Sequence, residues 1–79
     1  MSSNSNLIRE YLNHSKNGEN YKKLLVFLKE PRTFGQMRFA KVKGDTFKVL
    51  VELKKAGAIL FSEGKYYSSQ EALEILKSL

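Results

Sequence analysis

The stretch Asp45 to Ile59, DTFKVLVELKKAGAI, constrains this chain more than any other. Leu50, Leu53 and Gly57 recur three and four residues apart, so a 3.6-residue helix sets them on one side. Lys48, Glu52 and Lys55 then fall near the opposite side, with Asp45 close by and Val49 on the flank. Asp45 suits an N-cap, because its carboxylate accepts from backbone N–H groups that lack an intrahelical acceptor. Gly57 suits the position just past the helix, where glycine alone turns left-handed without steric cost. Such a helix has one side to bury and one to show to a partner.

The chain has 79 residues, enough for a single domain over 1–79. A domain of this size buries only roughly 60% of the surface its unfolded form exposes. With no cysteine, neither a disulfide nor a thiolate metal site can reinforce it, which leaves close packing or a second copy. Absence of cysteine also suits a reducing compartment. No apolar run is long enough to span a bilayer, and no charged start with an apolar middle marks a leader. The expectation is a cytoplasmic protein, associated with the nucleoid or, if viral, acting in the host cytoplasm. Fourteen Lys and Arg against eight Asp and Glu give a formal charge of +6, which favours an anionic partner.

Along the chain, Met1 to Asn6 is rich in Ser and Asn and reads as a disordered end. Leu7, Ile8, Tyr11 and Leu12 then give a short helix through His14 a narrow apolar face. Asn17-Gly18 marks a turn. Tyr21, Leu24, Leu25 and Leu28 at i, i+3, i+4 and i+7 predict a helix from Glu19 or Asn20 to about Glu30, ended by Pro31. Thr33 and Gln36 form a capping-box pattern opening a short helix with Met37 and Ala40 on one face. It ends near Lys41 to Gly44, where glycine frees the turn before Asp45. Beyond Gly57 the period falls to about two, and 58–61 with 65–68 predict a hairpin around Ser62-Glu63-Gly64. Ser68 with Glu71 predicts a second capping box, before a helix over 69–79.

Two short helices joined by a few residues around glycine make a helix-turn-helix unit, and a hairpin follows it. The local sequence adds Leu24-Leu25 with Leu28 and Glu30-Pro31, Thr33-Phe34 with Met37, Leu50 and Leu53, Ala56-Gly57-Ala58-Ile59, and Gly64-Lys65-Tyr66-Tyr67. Over roughly 20–68 this resembles the winged helix-turn-helix core of small prokaryotic and archaeal transcriptional regulators of the multiple-antibiotic-resistance and arsenic-repressor type. The chain departs from them in a short wing, basic only at Lys65, and in lacking a ligand domain and metal-binding residues. The resemblance implies a mainly α fold with a small β-hairpin, a winged helix-turn-helix extended by N- and C-terminal helices. It also implies sequence-specific binding of double-stranded DNA, with helix 45–56 in the major groove and wing 58–68 near the backbone or minor groove.

In that arrangement Lys48 and Glu52 project into the groove, Thr46 and Val49 border the base edges, and Lys55 approaches the backbone. Lysine donates to guanine, and Glu52 either accepts from the cytosine amine or pairs with Lys48 or Lys55 as a solvated residue. Arg32, Arg38, Lys41 and Lys43 flank the unit, where cations hold phosphates without reading sequence. Lys65 on the wing is a candidate for a phosphate or for the minor groove. Of Tyr66 and Tyr67, alternating across a strand, one is expected in the core and one outside.

The terminal helices carry apolar faces that a three-helix core does not require. They either pack together within one chain or serve a homodimer through Leu7, Ile8, Tyr11, Ala72, Ile75, Leu76 and Leu79. Two-fold DNA readers need the second arrangement to space their recognition helices. Catalysis has little support. His14 is the sole histidine and reads as a solvated residue, the glycines are isolated, and neither a metal nor a cofactor is implied. The competing function is a winged helix used as a protein-interaction module, with an apolar, salt-insensitive interface.

Overall fold

The computed structural model describes residues 2–14 and 16–79. Its order is α1 (Ser2–Leu12), α2 (Gly18–Phe27), a 3₁₀ segment (Phe34–Ala40), α3 (Thr46–Lys55), β1 (Ile59–Ser62), β2 (Lys65–Ser68) and α4 (Gln70–Ser78). The fold is mainly helical with one small antiparallel sheet.

Helix α1 begins at Ser2, so residues 2–6 are helical rather than a disordered end; Met1 lies outside the described residues. Its start is held from afar, since the Ser5 hydroxyl donates to the Glu71 carboxylate of α4. The turn into α2 is tight. Gly18 N–H donates to the His14 carbonyl, and a Cβ on Gly18 would stand 2.6 Å from the Leu12 carbonyl oxygen. No larger residue fits there without moving backbone. His14 is exposed but not idle, as its Nδ1 accepts from the N–H groups of Lys16 and Asn17, both at 3.2 Å.

Helix α2 buries Tyr21, Leu24 and Leu25 and ends at Phe27, three residues before the expected Glu30. The reason lies in its last carbonyls, which the hairpin needs. Ser68 gives its hydroxyl to the Leu25 carbonyl at 2.6 Å and its N–H to the Leu28 carbonyl at 2.8 Å. Groups that a helix end leaves without partners are thus satisfied by β2. Arg32 and Tyr66 exchange backbone bonds at 2.9 and 2.7 Å, adding a one-residue antiparallel bridge beside β2.

The segment after Pro31 is 3₁₀ rather than α. Three residues per turn line up Phe34, Met37 and Ala40 in one row, and Met37 is its only buried residue. The predicted Thr33–Gln36 capping is present, with Thr33 N–H donating to Gln36 Oε1 at 2.9 Å. Lys41 closes the segment in the left-handed conformation, φ 58°, and Gly44 follows at φ 79°.

Helix α3 is capped as its sequence predicts. Asp45 Oδ1 accepts from Lys48 N–H at 3.2 Å. At the other end Gly57 sits at φ 81°, with Ala58 N–H on the Leu53 carbonyl and Gly57 N–H on the Lys54 carbonyl. Those two bonds are a Schellman cap. The hairpin is tighter than expected, because Ser62 pairs with Lys65 and only Glu63 and Gly64 form the turn. Both have positive φ, the two-residue geometry that follows the twist of paired strands. Tyr66 and Tyr67 do not divide into core and surface; both are half-buried, and Tyr66 packs on Phe61 at 4.6 Å. The cap of α4 is Ser69, whose Oγ accepts from Ala72 N–H at 3.1 Å, not Ser68, whose hydroxyl is taken by Leu25.

One core joins all of these. Ile8 and Leu12 of α1, Leu24, Leu25 and Leu28, Leu50 and Leu53, and Ile59 are each under 2% exposed or, for Leu50, 2%. Each such side chain contributes roughly 1.5–3 kcal/mol against remaining in water. Helix α1 lies on α4 and α2, with Ile8, Ala72 and Ile75 buried within the single chain. Those three residues are therefore not a dimer surface, which corrects the expectation for them. Tyr11 is also committed, half-buried with its ring edge-on to Tyr21 at 5.0 Å. Leu7, Leu76 and Leu79 remain at least partly open. Among the described residues, no helix is long and apolar enough to cross a membrane.

Candidate nucleic-acid interface

Helix α3 buries Val49, Leu50, Leu53 and Ala56, spaced i, i+1, i+4 and i+7. This buried stripe decides which side chains the helix turns outward. Lys48 and Lys55 are exposed, as expected, and Thr46 is half-buried. Val49, expected to border base edges, is 7% exposed and belongs to the core. Glu52 is half-buried and accepts from the Tyr21 hydroxyl at 2.9 Å, so its carboxylate is held against α2 rather than projecting outward. The ion pairs among the described residues do not include Glu52 with Lys48 or Lys55.

The outward face instead runs through Phe47, Lys48, Val51, Lys54 and Lys55. Phe47 and Lys54 lie outside the set that the sequence pattern singles out. Including Val49 and Ala56 with Leu50 and Leu53 in the apolar stripe, instead of stopping at Gly57, would have rotated the wheel onto them. Phe47 is 57% exposed and meets Phe34 edge-on at 5.9 Å. The Lys54 ammonium lies 5.8 Å from the Phe61 ring of the hairpin. Lys54 and Lys55 also occupy the last turn, where the helix dipole favours cations.

The loop before α3 is pinned by a side chain that sequence alone did not single out. Asn20 of α2 donates to the Lys43 carbonyl at 3.0 Å and accepts from Lys43 N–H at 3.1 Å. This two-bond clamp ties the start of α2 to the turn and fixes the entry of α3. Lys41 and Lys43 are exposed around it, as is Lys65 at the start of β2. Arg38 is exposed with its guanidinium 5.0 Å from the Phe39 ring. Arg32 differs from expectation. Its guanidinium covers Phe27 at 4.9 Å and stands 3.7 Å from Glu30, so this cation serves packing more than an outside anion. Among the described residues, no cluster of His, Cys, Asp and Glu has the makings of a metal site.

Tyr21 links the core to this surface. It is 3% exposed, and burial, then the hydrogen bond to Glu52, push its hydroxyl from 10.0 up to about 12. The folded state holds that proton more tightly than the unfolded chain does. The resulting stabilisation is complete below pH 10 and drains away as pH rises toward 12. Urea titrations of the parent and Tyr21→Phe across this window are the check. The parent is expected to lose its advantage over the variant with rising pH, and a constant difference would show that Tyr21 does not carry the shift.

Comparison with protein-family models, curated proteins and solved structures finds no significant match.

Proposed function

We propose that this protein binds double-stranded DNA as a winged helix-turn-helix transcriptional regulator, with α3 entering the major groove and the hairpin serving as a short wing. The observation that carries the reading is the outer face of α3. Lys48, Lys54 and Lys55 are exposed there, while its one carboxylate, Glu52, is drawn back by Tyr21. A helix of ten residues is about 15 Å long, and the major groove admits one. Around it Arg38, Lys41, Lys43 and Lys65 supply exposed cations of the kind that hold phosphates. In this reading Lys48 and Thr46 approach base edges near the start of the helix, and Lys54 and Lys55 approach the backbone. Phe47 adds an apolar surface suited to a thymine methyl.

Reading a palindromic site takes two copies, since half-sites lie about 34 Å apart and one chain is 30 Å in its longest dimension. With Ile8, Ala72 and Ile75 buried inside the monomer, a two-fold contact falls to Leu7, Leu76 and Leu79. A cytoplasmic site of action belongs to the same proposal.

One observation favours a second reading, a protein-interaction module. Phe34, Phe47 and Phe61 are each at least half exposed, more apolar surface than phosphates alone call for. Salt separates the two. Binding to random-sequence duplex DNA, with oligomeric state measured in the same sample, is expected to be micromolar and to weaken with salt at a slope near −0.9 per phosphate neutralised. Absence of binding at low salt would remove the DNA reading and leave the protein module.

A further inference from the structure

A second surface lies apart from α3. Between α2 and the 3₁₀ segment runs an open groove lined by Lys22, Lys23, Val26, Phe27, Phe39 and Lys41. None of its lining residues is on α3 or the hairpin. Its apolar parts are conspicuously bare, with Val26 51% and Phe39 61% exposed, although the opposite side of α2 is fully buried. Its charged parts are all of one sign. Lys23 and Lys41 have no ion-pair partner among the described residues, and Lys22 has only the exposed Glu19, 3.8 Å away. The Arg38 guanidinium adds to the rim from above Phe39. No carboxylate is among the groove's lining side chains.

We propose that this groove docks an acidic amphipathic segment of a partner protein, its apolar side chains on Val26, Phe27 and Phe39 and its carboxylates on Lys22, Lys23 and Lys41. Charge complementarity selects that occupant. Apolar anchors gain from leaving water, while flanking carboxylates meet cations that the groove itself leaves without counter-charge. A second copy is a poorer match, because it brings another +6, and its acidic helix α4 is already packed through Ala72 and Ile75. Nucleic acid would meet the cations but leave the apolar walls without partners. The groove uses no residue of α3; it shares Lys41, and Arg38 at its rim, with the DNA reading, so the two surfaces are told apart by Lys22, Lys23, Val26 and Phe27, which that reading does not use.

The test titrates the isotopically labelled full chain with a synthetic helical peptide bearing leucines on one face and glutamates beside them. Expected are amide shifts centred on Val26, Phe27, Phe39 and Ala40, saturating with peptide. Phe39→Ala and Val26→Gln are each expected to weaken binding about tenfold, or 1.4 kcal/mol. Both side chains are more than half exposed, so the variants keep the parent's amide spectrum elsewhere. Lys22→Glu with Lys23→Glu is expected to lose this peptide and gain its lysine counterpart. The proposal is overturned by any of four results. These are no shift at saturating peptide, equal binding of an all-glutamate peptide, shifts at Val26 and Phe27 with duplex DNA, and shifts that grow with protein concentration alone.

Discussion

Leu53→Ala is expected to lower the stability of the chain by about 2–5 kcal/mol, the range for deleting a buried leucine side chain. Leu53 is fully buried on a helix that packs against α2 and β1, and its carbonyl also receives the Ala58 N–H that closes the cap of α3. For a chain of 79 residues the whole stability is about 4–12 kcal/mol, so this single change removes roughly a sixth of it at the least. The loss exceeds the transfer free energy of the deleted atoms because a domain this thin has few neighbours free to collapse into the space. Urea unfolding followed by circular dichroism gives the number, with an unchanged m-value certifying that the compactness of the unfolded state is the same. Leu60→Ala, one residue into the hairpin and 42% exposed, serves as the comparison and is expected to lose less than about 1 kcal/mol. Similar losses for the two variants would mean that α3 is not the wall of the core.

Much of this architecture could be read from residue order because local chemistry and tertiary packing agree. Asp45, Gly57 and the leucines between them specify the same helix by cap, terminus and period, and the structure has it within a residue. Thr33 with Gln36 and a hairpin turning near Gly64 were legible for the same reason, although the expected turn also took in Ser62, which is paired with Lys65. Boundaries failed where a distant element decided them. Nothing near Leu28 in sequence announces that Ser68 will claim the last carbonyls of α2, forty residues on. The 3₁₀ form of 34–40 escaped because i, i+3 spacing of Phe34, Met37 and Ala40 suits either helix, and only shortage of buried residues tips it.

The candidate interface was legible in sign and blurred in detail. Which lysines surround the helix follows from composition, and Lys48 and Lys55 are where the wheel put them. The fate of Glu52 and Val49 depends on Tyr21 and on the rotation of α3 about its own axis, both tertiary facts. Arg32 likewise reads as a surface cation until the ring of Phe27 is found beneath it. The terminal helices show the same limit. An apolar face at each end of a short chain is compatible with one partner or another, and only the burial of Ile8, Ala72 and Ile75 where α1 meets α4 assigns it to the monomer.

The variant Lys48→Gln/Lys54→Gln/Lys55→Gln is expected to abolish most DNA affinity while leaving the fold alone. All three side chains are exposed, and substitutions at such positions shift stability by roughly 0.5 kcal/mol or less. If each ammonium neutralises one phosphate, the slope of log affinity against log salt falls by about 2.7 in magnitude. Affinity at low salt then drops by roughly two to three orders of magnitude, on the order of 1 kcal/mol for each ammonium removed. Because the variant also takes the formal charge from +6 to +3, a matched control is needed. Lys16→Gln/Lys29→Gln/Lys77→Gln makes the same change in charge at exposed sites away from α3. Long-range attraction through salt solution decays within about 10 Å at 0.1 M, so the control should lose only a small part of the affinity at that salt. Equal losses would mean that charge alone, not the face of α3, attracts the polymer. Singly, Lys54→Gln is expected to weaken all sequences alike and lower the slope by about one, as a phosphate contact does. Lys48→Gln, nearer the start of the helix, is expected to change the preferred sequence as well as the affinity, as a base contact does.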